Sequence, residues 1–195
     1  MSSKDSWLNI CAEIQQRYLE PTLLEIEENS RQFWAKILKC LIAASDDKLL
    51  INNQNEIRTL LKIAKSEVIR KKGYTDIVGG EKNQKRRKDI PHFERYDGCW
   101  FDFAIILDET KLPTKIIGFN FEIRFPENYS PSFLRFDLNP PAHDNEERQM
   151  RFHMHPGSDD IMIHSPPMTP IEILHLFLYG LELPEKPRLT NVSNE

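Results

Sequence analysis

Beyond residue 97 the apolar side chains recur at every second position, and that period decides what the chain can fold into. A strand sends successive side chains to opposite faces, whereas a helix returns to one face every three or four residues. Ile117, Phe119, Phe121, Ile123 and Phe125 alternate with Gly118, Asn120, Glu122 and Arg124. Before them, Cys99 to Leu107 reads as a largely buried strand. After them, Leu134, Phe136 and Leu138 oppose Arg135 and Asp137, and Met150, Phe152 and Met154 oppose Arg151, His153 and His155. The expected strands are 97–107, 116–125, 133–138 and 149–155. Short polar connections make a four-stranded antiparallel meander the economical topology.

The period before this region is helical. Trp7, Ile10, Cys11, Ile14 and Tyr18 share one face, and Pro21 suits the first turn of a second helix carrying Leu24, Phe33, Trp34, Ile37, Leu38, Leu41 and Ile42. Asn53 with Glu56 forms a capping pattern, from which Ile57, Leu60, Leu61, Ala64 and Val68 continue an apolar stripe to a stop at Gly73. At the other end, Thr169-Pro170-Ile171-Glu172 opens a helix whose Ile171, Leu174, Phe177, Leu178 and Leu181 should pack on the apolar side of the sheet. The expected class is α+β: helices over 1–73, a basic exposed loop over 74–96, the sheet and final helix over 97–183, and a loose tail over 184–195.

Composition narrows the function. Of 195 residues, 39 % are hydrophobic and 29 % charged, the balance of a globular chain, and a net charge of −4 excludes a general polycation. Any RNA or other polyanion would have to meet a local patch, for which Lys85, Arg86, Arg87 and Lys88 are the nucleic-acid contacts to expect. No run approaches the ~20 apolar residues of a membrane span. Cys11, Cys40 and Cys99 are too few and too scattered for a disulfide framework or a zinc motif, so the expected location is the cytoplasm.

The chemistry concentrates on the polar side of the meander, which collects Asn120, Glu122, Arg124, Arg135, Asp137, Arg151, His153 and His155, with His143 in the following connection. Alternate residues on a strand lie ~6–7 Å apart on one face, so His153 and His155 can aim at one ligand. Two chemistries are open to them. As acid and base, with Asp137 orienting them, they would act on a phosphate held by Arg135, Arg151 and His143. As neutral imidazoles they would bind a divalent metal, with Asp137, His143 or Asp159 completing the ligands. The arginines weigh against a dication, so no cofactor is expected and the metal is the lesser alternative. A solvated outer face of arginine–carboxylate pairs is the plain structural reading.

Two resemblances bear on these alternatives. The run Arg135-Phe136-Asp137, then His143, His153-Met154-His155, Ser165-Pro166 and Pro170 leading into a helix resembles small bacterial toxins of the TumE type. It covers about the last third of the chain and implies an RNA-directed, defence-associated role with these histidines and arginines at the site. The stretch from Phe121 to Pro131, with His155-Pro156-Gly157 after it, looks like the meander of ubiquitin-conjugating enzymes. Those enzymes carry a catalytic cysteine after the His-Pro turn and this chain has none there. That likeness implies a non-enzymatic interaction module, with the N-terminal helices as a further surface for a protein partner.

Overall fold

The computed structural model describes residues 24–186 except 144, 146, 149 and 166, and the expected helical face from Trp7 to Tyr18 lies outside that range. The chain is α+β, with one antiparallel sheet that has eight strands rather than four. In chain order the strands are β1 (Glu25–Ile26), β2 (Leu61–Lys65), β3 (Tyr74–Gly79), β4 (Phe93–Glu94), β5 (Trp100–Asp108), β6 (Thr114–Arg124), β7 (Phe133–Leu138) and β8 (Phe152–Pro156). The order across the sheet is β2-β3-β5-β6-β7-β8, with β1 added to β6 and β4 to β5. The four strands expected from the alternation are β5 to β8, and they pair consecutively and antiparallel.

The additional strands come from segments read otherwise in the sequence. Residues 61–65 leave the helix after Leu60 and pair with β3, from Leu61 opposite Gly79 to Lys65 opposite Thr75. The helical stripe expected there gains no burial beyond Leu61, for Val68 is exposed and Ile63 largely so. Pairing with the sheet satisfies the backbone instead. Likewise β3 and β4 lie within the segment read as an exposed loop.

Helix α1 (Ser30–Asp46) is capped by Asn29, which shares a reciprocal capping box with Gln32, while the first turn expected at Pro21 lies outside the described residues. Helix α2 (Gln54–Leu60) starts at the Asn53–Glu56 box that the sequence showed. Helix α3 (Pro170–His175) starts at the Thr169–Glu172 box and runs into a π-helical turn, Leu176–Gly180. Its buried apolar face consists of Ile173, Leu174, Phe177 and Leu178, with Ile171 and Leu181 only partly buried. Phe177 enters the middle of the sheet's apolar side, with ring centroids 5.8 Å from Phe101, 6.3 Å from Phe121 and 6.2 Å from Phe136. Arg95, itself buried, donates to the carbonyls of Phe177 and Leu181 and ties the end of this helix down.

Register places the site. Phe103, Phe121, Phe136 and Met154 form one row across β5–β8, on the core side. The neighbouring rows, Asp102-Glu122-Arg135-His155 and Ala104-Asn120-Asp137-His153, lie on the opposite side. The alternation in β6 breaks once. Gly118 pairs with Ile106 but Ile116 with Leu107, so Ile117 is the extra residue of a bulge. Ile116, not Ile117, therefore joins the core.

Candidate metal and arginine site

The polar side of the sheet is not a solvated face. Asp102, Glu122 and Arg124 are buried, and so are Asp137 (9 % exposed), His153 (2 %) and His155 (4 %). Two segments cover them. One contains Asn83 and Arg86, from the loop between β3 and β4; the other is the turn after β8, which carries Ser158 and Asp159.

The first cover is a structured turn. The Asn83 side chain accepts from the Arg87 amide at 2.9 Å and donates to the Arg87 carbonyl at 2.6 Å. Arg86 sits between them at φ 51°, a left-handed backbone unusual for a side-chain-bearing residue. It turns inward, where Nε and Nη2 donate to Glu122 at 2.9 and 3.2 Å. Its guanidinium lies 3.6 Å above the Phe133 ring. The second cover needs Gly157, whose φ is 84° and where a Cβ would stand 2.5 Å from that of Pro131.

Among the described residues, Asp137, His153 and His155 are the one group of histidine, cysteine and carboxylate side chains whose ligand atoms converge. The two Nε2 atoms are 3.1 Å apart, and Asp137 Oδ2 lies 3.6 Å from His153 Nε2 and 3.4 Å from His155 Nε2. Each Nδ1 faces a backbone carbonyl, of Met150 at 2.8 Å and of Ser158 at 3.3 Å. A carbonyl can only accept, so these contacts favour Nδ1–H tautomers and leave a lone pair on each Nε2. With both rings in that tautomer two lone pairs face each other at 3.1 Å, an arrangement that a cation or proton between them would stabilise. Burial holds His153 below the ordinary histidine value, so it is neutral near pH 7. Asp137 is oriented in turn by Asn120 and by Arg135, whose Nε donates to Oδ2 at 2.8 Å.

The separations suit a metal. Bonds of about 2.0–2.1 Å in a tetrahedral site put ligand atoms about 3.3 Å apart, against 3.1 to 3.6 Å here. Carbonyl partners on both Nδ1 atoms are also what metal-ligating histidines use to set orientation and tautomer. The arginines do not oppose a dication as the sequence suggested. Arg86, Arg124 and Arg135 face four carboxylates, Asp102, Glu122, Asp137 and Asp159, leaving one net negative charge when all are ionised.

The other residues expected at the site are dispersed. Arg151 donates to the carbonyls of Asn139 and Ile117, both at 2.8 Å. His143 is exposed, and its Nδ1 accepts from the Asn145 amide. Lys85, Arg87 and Lys88 are exposed, with Arg87 paired to Asp89 and Lys88 to Glu94, and only Arg86 of the four enters the site. Sequence reasoning missed Asp102, which the aromatic run around it hid, and gave Arg86 no place beside Glu122. Cys40 and Cys99 are free thiols that burial pushes up to about 11 and about 12, so neither is a ready nucleophile. No described helix is long and apolar enough to cross a membrane.

In comparisons with known protein families, with curated proteins and with solved structures, the chain finds no match.

Proposed function

We propose that the protein holds one divalent transition-metal ion on His153 Nε2, His155 Nε2 and Asp137 Oδ2 and uses that centre on phosphodiesters. The observation that carries the reading is the convergence of three ligand atoms, with both imidazoles turned by carbonyls at Nδ1. A divalent ion in such a site supplies Lewis-acid polarisation of a phosphoryl oxygen. The chain's own part is to orient the ligands through Met150, Ser158, Asn120 and Arg135, and to present the Arg86 and Arg135 guanidiniums beside them. The resemblance of Arg135 to His155 to TumE-type toxins supports RNA as the phosphodiester to test first.

Cobalt titration tests the centre, because its visible absorption reports ligand number and type. One equivalent should bind, with an absorption spectrum of nitrogen and oxygen ligands and a raised Tm. His155→Ala, shown folded by circular dichroism, should abolish both effects. Cobalt binding that is absent, or unchanged in His155→Ala, overturns the proposal.

A second reading rests on the longer of the two carbonyl contacts, 3.3 Å from His155 Nδ1 to Ser158. With its proton on Nε2, His155 would donate to His153 Nε2, making an acid–base pair that needs no metal. Nitrogen-15 NMR of the imidazoles separates the tautomers. A non-enzymatic interaction module is the third alternative, and it predicts neither cobalt binding nor RNA cleavage.

A further inference from the structure

The Arg86 and Arg135 guanidiniums point to a second property of the site. Each is held in place without help from Asp159. Arg86 uses its Nε/Nη2 edge on Glu122 and its face on Phe133, while Arg135 uses Nε on Asp137 and Nη1 on Glu122 at 3.4 Å. What remains is a fork that both direct at one place. There Asp159 sits, accepting from Arg86 Nη1 at 3.0 Å and Nη2 at 2.8 Å and from Arg135 Nη1. Of the four carboxylates in the network it alone is exposed, with 54 % of its side chain accessible, against 6 % for Glu122 and 13 % for Asp137.

We propose that Asp159 is a built-in occupant of an anion subsite, and that a phosphoryl group of the substrate takes its place. A phosphoryl group offers several oxygens in the spacing that guanidinium forks accept bidentately, so it can replace a carboxylate oxygen for oxygen. Charge points the same way. With Asp159 displaced, three arginines face the three carboxylates Asp102, Glu122 and Asp137, so the network loses its net negative charge and is neutral when the anion enters. The two guanidiniums do not need to move to receive the ligand, so little reorganisation opposes binding. Arg135 touches both Asp137 and Asp159, which puts the anion next to the proposed metal ligands. The inference rests on the metal reading only for what happens to the anion, not for its binding.

The test is titration of inorganic phosphate into the full-length protein, with and without one equivalent of cobalt. Asp159→Asn removes the competing charge while keeping the side chain's shape, and its phosphate affinity should exceed that of the unchanged protein at least tenfold. Adding Arg86→Lys, which lacks the fork, should remove that gain. Asp159→Ser serves as a second variant of the exposed turn should the Asn variant fold poorly. Equal phosphate affinity in Asp159→Asn, Asp159→Ser and the unchanged protein overturns the proposal. A gain in affinity without any cobalt binding would sink the metal reading and leave this one standing. Cobalt binding with no gain would do the reverse.

Discussion

Asp102 is the place where the charge balance of the buried face can be measured. Its side chain is buried against Arg124, and burial pushes its carboxyl up to about 6 in spite of that arginine. In an unfolded chain an aspartate titrates near about 3.9. A carboxyl whose folded value is the higher binds its proton more tightly in the native state. Its contribution to stability is therefore complete below about pH 4 and is lost as the pH rises through about 6. About two pH units at about 1.4 kcal/mol each make that loss about 3 kcal/mol. Asp102→Asn keeps the shape of the protonated acid, and Arg124 retains Glu122 at 2.8 Å and the Asn83 carbonyl at 3.2 Å. Urea unfolding of both proteins should give similar stabilities at pH 4, and by pH 7.5 the variant should be the more stable by about 3 kcal/mol. Asp108, Glu109 and Asp159 are held below their ordinary values and pull the opposite way as the pH falls, so the difference between the proteins isolates Asp102. A gap that stays constant from pH 4 to 7.5, or a variant that is the weaker at pH 7.5, would refute the reasoning. Ionised Asp102 would then be fully compensated by Arg124.

Two further outcomes concern the scaffold. Phe177→Ala removes a fully buried ring that touches three strands of the sheet, and denaturant unfolding should show a loss of about 3–5 kcal/mol. Thr169→Ala breaks the capping box of α3 and should cost about 1 kcal/mol by the same measurement, with the cobalt spectrum unchanged.

The alternation in β5 to β8 was legible because it is local. Once Phe119, Phe121, Phe136, Phe152 and Met154 face a core, the pleat forces Asn120, Glu122, Asp137, His153 and His155 to the other side. The caps at Asn53 and Thr169 were legible for the same reason, since their hydrogen bonds close within three residues. Periodicity says which side a residue faces, but not what covers that side. Arg86 meets Glu122 across 36 positions of sequence and Asp159 across 73, and no local pattern announces such contacts. Tertiary structure also turned residues 61–65 from helix to strand, where they pair with β3 from Leu61 opposite Gly79 to Lys65 opposite Thr75. The same long-range contacts decided that four carboxylates offset the three arginines. Local sequence set the directions of these side chains, while their charge environment came from chain segments that only folding brings together.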